Sequence, residues 1–120
     1  MKIVVTARGD GLDAEVDGRF GRAARFVFYD TETRKVQSVD NQQSLNAAQG
    51  AGIQAAETIA QLGADCLLTG HCGPKAFRTL AAAGTRVYAG AAGTVSQTIG
   101  SFLEGSLKQA AAADVDGHWA

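Results

Sequence analysis

The sequence predicts an α/β domain built on a mixed sheet with helices on its faces. Three observations carry this reading: a β-branched opening segment, a pair of β-like runs joined by a short polar turn, and a second half in which helical patterns alternate with short apolar runs. Lys2 to Thr6 is the first strand, and residues 7 to 25 form a glycine- and charge-rich loop. Arg25 to Asp30 and Arg34 to Asp40 read as a hairpin around Asp30-Thr31-Glu32-Thr33. Residues 50 to 62 form a helix whose polar stripe is Gln54, Glu57, Thr58 and Gln61, and Gly63 stops it. Cys66 to Thr69 is a short apolar run after a helix, as in a strand covered on both faces.

Residues 74 to 83 give the next helix. Pro74 suits its first position, where the missing N–H and fixed φ cost nothing. Ala76, Phe77, Leu80 and Ala81 are expected to face the core, with Lys75, Arg78 and Thr79 outward and Gly84 as the stop. Thr85 to Ala89 is a strand. Thr94 and Gln97 then form a capping box for a last helix, with Val95, Ile99 and Phe102 on its buried face. Beyond Ser106 the pattern fades, and residues 108 to 120 read as a marginal helix or a disordered tail holding His118 and Trp119. Strands linked through helices should run parallel, with right-handed crossovers, and the hairpin adds one antiparallel strand.

A chain of 120 residues fits one domain. With 46% hydrophobic and 19% charged residues, the composition is that of a globular protein rather than a disordered one. The apolar runs fall well short of the roughly 20 residues that span a bilayer. The start, Met1-Lys2-Ile3-Val4-Val5, reads as a strand and not as a signal peptide, so a cytoplasmic location is expected. A net charge of -1 provides no global field to recruit nucleic acid or membrane, so attraction for anions must be local. Cys66 and Cys72 make no disulfide framework. At extended spacing they lie about 20 Å apart, which rules out a shared centre and leaves Cys66 a packing role.

Ligands of open α/β sheets bind beyond the carboxyl ends of the strands. Three glycine-rich loops leave those ends. The first carries Arg19, Phe20, Gly21 and Arg22, the second is Gly70-His71-Cys72-Gly73-Pro74-Lys75, and the third runs from Gly90 to Gly93. The second opens a helix, so free backbone N–H groups and about half a positive charge meet there, and Lys75 adds a full charge. His71 and Cys72 are candidate metal donors, since a neutral imidazole binds metals and a helix start favours thiolate. In the first loop the arginines can close over an anion while the neighbouring acids face water, or they can form local ion pairs of little energetic weight. No dinucleotide or Walker motif occurs. An enzyme acting on a small anionic metabolite, with Cys72 as nucleophile, and a pure protein-interaction domain stand as alternative readings. The sequence places no orienting carboxylate next to His71, which weakens the enzyme reading.

Arg19-Phe20-Gly21-Arg22-Ala23, Asn41, Gly50-Ala51-Gly52, Gly70 with Gly73-Pro74-Lys75-Ala76, Gly84 with Val87-Tyr88, and the Gly105 to Leu107 region follow one another in a specific order. In this the chain resembles the nitrogenase iron–molybdenum cofactor biosynthesis family, the NifX-like accessory domains, over residues 1 to 107. The resemblance implies an RNase H-like three-layer fold with a five-stranded mixed sheet of order 3-2-1-4-5, strand two antiparallel. It also implies a non-enzymatic protein that binds, stores or transfers an anionic metal–sulfur cluster and works with a cluster-accepting or complex-forming partner. The cargo implied is a molybdenum–copper sulfide cluster held without covalent ligation, or an iron–molybdenum–sulfur precursor. Many relatives carry His where Arg19 stands and Pro where Ala24 stands. The exchange at Arg19 removes a ligand and leaves a cation, which favours electrostatic holding.

Overall fold

The computed structural model describes residues 1–41 and 51–110. The elements are β1 (Lys2–Ala7), a single 3-10 turn (Phe20–Arg22), β2 (Arg25–Asp30), β3 (Val36–Asp40), α1 (Ala51–Gln61), β4 (Cys66–Leu68), α2 (Pro74–Ala82), β5 (Arg86–Ala89), α3 (Val95–Leu103) and β6 (Lys108–Gln109). They form one mixed sheet of order β3-β2-β1-β4-β5-β6. β1 pairs antiparallel with β2 and parallel with β4, and β4 pairs parallel with β5. The expected order and antiparallel strand two are found, but the sheet has six strands rather than five. Lys108 and Gln109 add the sixth by pairing antiparallel with Ala89 and Tyr88. A two-residue strand is too short to show a period, which is why the sequence pattern fades there. Residues 111–120, the rest of the expected tail, lie outside the described residues, as does Gly50.

β3 starts at Val36 rather than Arg34. Arg34 adopts φ 62° and donates its N–H to the Asp30 carbonyl at 2.7 Å, so it closes the turn instead of extending the strand. The central strand β1 is buried on both faces. Val4 packs with Phe26, Leu67, Ala55, Ile59 and Leu80 beneath α1 and α2, whereas Ile3, Val5 and Ala7 pack with Val27, Leu68, Val95 and Ile99 beneath α3. This is the strand alternation that gives three layers, with helices on both faces. In α2 the buried positions are Ala76 and Leu80, with Phe77 packed beside them. Ala81, expected to face inward, is exposed, because the apolar stripe of this nine-residue helix is narrower than its sequence suggests. No described helix is long and apolar enough to cross a membrane.

Candidate functional site

The loops after β1 and β4 cross at the carboxyl end of the sheet. Gly70 is the crossing point: a Cβ there would lie 2.7 Å from the Gly18 Cα and 2.8 Å from its carbonyl oxygen, so only glycine fits. The His71 N–H donates to the Gly18 carbonyl at 2.8 Å, and Arg19 and His71 form an isolated parallel bridge. The first two predicted loops are thus joined backbone to backbone.

The 3-10 turn is anchored from below. Phe20 is buried and stacks on Phe26 with centroids 6.2 Å apart. The buried Asn41 donates its side-chain N–H to the Ala23 carbonyl at 2.8 Å. Asp17, also buried, accepts from the Arg19 backbone N–H at 3.0 Å and from Arg19 Nε at 3.4 Å. The expectation that the acids of this loop face water therefore fails at Asp17. It holds at Asp10 and Glu15, which are exposed and pair with Arg25 and Arg8 at 3.1 and 3.8 Å.

Between this turn, the α2 start and the first turn of α1 lies a cleft of about 420 Å³. Arg19, His71 and Lys75 line it as the polar groups, and Phe20, Ile53, Pro74 and Ala76 supply apolar surface. The α2 N-cap is Gly73, which has no side chain to cap the helix. Phe77 N–H makes the first intrahelical bond, to the Gly73 carbonyl at 2.9 Å. The N–H groups of Lys75 and Ala76, in that first turn, have no acceptor among the described residues, and both residues line the cleft. No ion pair involves Lys75 among the described residues. The site joins backbone donors, a helix dipole and full cations over an apolar floor, which is the chemistry of anion binding.

Of the predicted residues, the structure brings Arg19, Phe20, Gly21, His71, Gly73 and Lys75 to the cleft, with Gly70 as the hinge beneath them. It separates the two candidate metal donors. His71 is exposed on the cleft, while Cys72 is 1% exposed and packs in the core. His71 therefore lines the cleft and Cys72 does not. A nucleophile at Cys72 would not reach a substrate in the cleft. Arg22 is exposed on the 3-10 turn and does not line the cleft.

The third loop is not a wall of the cleft. Ala91 N–H donates to the Thr69 carbonyl at 3.1 Å and Gly90 N–H to the Gly70 carbonyl at 3.4 Å. Gly93 accepts from Val16 N–H at 2.9 Å. Gly90 and Gly93, with φ of 82° and 80°, brace the neighbouring loops from behind. The wall that sequence reasoning missed is Gly52 and Ile53 of α1. Its signal was the glycine at the helix start, where a Cβ would touch Ala76 at 3.4 Å.

Cys66 sits at the other end of the sheet. Arg86 donates to its sulfur at 3.3 Å, and burial pushes the thiol above its ordinary value of 9.0. Among the described residues no three His, Cys, Asp or Glu side chains converge as a metal site. A second cavity, of about 300 Å³, lies at this end between Lys2, Phe28, Val39 and Leu62, away from the glycine loops.

The fold, the glycine crossing and the cleft lined by Arg19, His71 and Lys75 define a small α/β domain with a cationic cleft at the carboxyl end of its sheet. A sequence profile described as "Dinitrogenase iron-molybdenum cofactor" matches residues 1–105, and the chain belongs to that family. It is similar to the apo form of the orange protein from Desulfovibrio gigas, with 49% identity, 95% and 96% of the two chains covered, and a TM-score of 0.92. A Thermotoga protein of the DUF35 family, solved by NMR, is 34% identical over 97% and 98% of the two chains, with a TM-score of 0.83. An uncharacterised protein of Methanocaldococcus jannaschii is 27% identical over 92 residues, which is 75% of this chain and 78% of that one.

Proposed function

We propose that the chain binds an anionic metal–sulfur cluster in the cleft and stores it or hands it to an accepting protein, without catalysing a reaction of its own. The observation that carries this reading is the convergence of Arg19, His71, Lys75 and the uncapped start of α2 on an apolar-floored cleft of about 420 Å³. Family membership and the likeness to the orange protein support it. A sulfide cluster arrives with its metals already ligated. It needs charge, N–H donors and apolar contact more than thiolates, and the described cleft residues match that need, since Cys72 is turned into the core. The cargo proposed is a molybdenum–copper sulfide cluster, with an iron–molybdenum–sulfur precursor as the other candidate. Its holding is mainly non-covalent. We place the protein in the cytoplasm.

Anaerobic mixing of the protein with tetrathiomolybdate and copper should give a visible chromophore that co-elutes with protein in a fixed ratio. Metals that always separate from the protein on gel filtration would overturn the proposal.

A further inference from the structure

We infer that Asp17 is a positioning residue of the cleft. Its buried carboxylate presets the Arg19 guanidinium, so that the site selects anions offering two adjacent acceptor atoms, such as one edge of a tetrahedral oxo- or thio-anion unit. This rests on the proposed anion-binding role of the cleft and specifies how the anion is chosen.

Asp17 is fixed to the sheet before its carboxylate does anything. Its N–H donates to the Thr6 carbonyl at 2.9 Å, and its own carbonyl accepts from Thr6 Oγ1 at 2.6 Å. Thr6 Oγ1 in turn shares a hydrogen bond with Thr69 Oγ1 at 2.9 Å, and both threonines are buried. Asp17 is thereby tied to the ends of β1 and β4. From that base Oδ1 accepts the Arg19 backbone N–H at 3.0 Å and Nε at 3.4 Å.

The Arg19 side chain is 73% exposed, against 6% for that of Asp17. An ion pair with one partner so exposed adds little stability. What it does is restrict a long, flexible side chain to one orientation at the cleft wall. Nε is occupied, and the two terminal nitrogens make no hydrogen bond with the described residues. A guanidinium tied by Nε keeps a free edge with parallel N–H donors, which matches two acceptor atoms side by side. Preorganisation of this kind raises affinity because the ordering cost is already met before binding. Lys75 supplies a point charge with no such shape preference.

The idea has a sign that plain electrostatics reverses. A carboxylate beside an anion site repels the anion, so neutralising it should tighten binding if Asp17 only contributes charge. If Asp17 positions Arg19, neutralising it should weaken binding. Asp17→Asn keeps an oxygen for the Arg19 backbone N–H, so the turn is retained while the charged grip on Nε is lost.

The probes are tetrathiomolybdate and, as a linear anion, thiocyanate, titrated anaerobically into the intact chain. Asp17→Asn should weaken tetrathiomolybdate about tenfold, the effect of losing one charge-assisted contact. It should leave thiocyanate unchanged and add no further loss in an Arg19→Ala background. In the ligand-free protein, the Arg19 Nε–H resonance should exchange slowly in wild type and quickly in Asp17→Asn. Tighter or unaltered tetrathiomolybdate binding in Asp17→Asn, or an equal loss in the Arg19→Ala background, overturns the positioning role while leaving the cleft's function standing. A wild-type protein that binds neither probe overturns the proposed function, and this inference with it.

Discussion

Among the helices that begin at the carboxyl end of this sheet, α2 and α3 have first turns that are treated differently. α3 starts with a complete capping box: Gln97 N–H donates to Thr94 Oγ1 at 3.1 Å, and Thr94 N–H donates to Gln97 Oε1 at 2.9 Å. Its next donors are also taken, because Val95 and Ser96 give their N–H groups to the Ala14 and Leu12 carbonyls, each at 2.9 Å. α2 has a glycine cap with no side-chain bond, a proline at its first position, and first-turn donors without an acceptor among the described residues. One helix start is closed by the long loop after β1, and the other lies at the cleft. The glycine content of the preceding loop does not distinguish them. What distinguishes them, among the described residues, is whether another segment supplies carbonyls.

The largest effect should come from breaking the crossing that holds the open end together. Gly70→Ala forces a Cβ into the Gly18 backbone and should cost about 3 kcal/mol, seen as a lower urea midpoint. Next is closing the open helix by design. Gly73 has φ -71°, and nothing lies within 4 Å of where its Cβ would sit, so Gly73→Asp is unstrained there. It should raise stability by about 0.3 kcal/mol as a better N-cap and weaken cluster binding roughly thirtyfold by placing a carboxylate in the anion's position.

Smaller effects sharpen the contrast. Thr94→Ala should cost about 1 kcal/mol in thermal unfolding and leave cluster affinity unchanged. Lys75→Ala should do the reverse, reducing affinity about fivefold and moving stability by less than about 0.5 kcal/mol. The smallest effect concerns Cys66, far from both helix starts. Its thiol is raised above 9.0 by burial, so the folded state holds that proton longer than the unfolded chain does. The contribution is full below pH 9.0 and is lost as pH rises through the folded value, so Cys66→Ala should flatten the alkaline limb of the stability curve.

Local signals were legible in the sequence. Pro74 marked a helix start, Thr94 with Gln97 marked a capping box, and the turn at Asp30 marked a hairpin, because each depends on neighbours within a few residues. The features that decide which loop forms the cleft are long-range. The Gly18–Gly70 crossing joins segments 52 positions apart, and the carbonyls that close α3 come from Leu12 and Ala14. The burial of Cys72 follows from the register set by that crossing, and no local pattern carried it. The Gly52 wall was visible only as a glycine at a helix start, without the partner that explains it.

Whether the cluster sits in the cleft is decided by a map of backbone amide shifts on adding the preformed molybdenum–copper sulfide cluster without oxygen. The largest changes are expected at Arg19 to Gly21, at His71 to Ala76 and at Gly52 and Ile53, with Gly90 to Ser96 close to unperturbed. Changes centred on Gly90 to Ser96, with the amides of Lys75 and Ala76 unmoved, would contradict binding in the cleft.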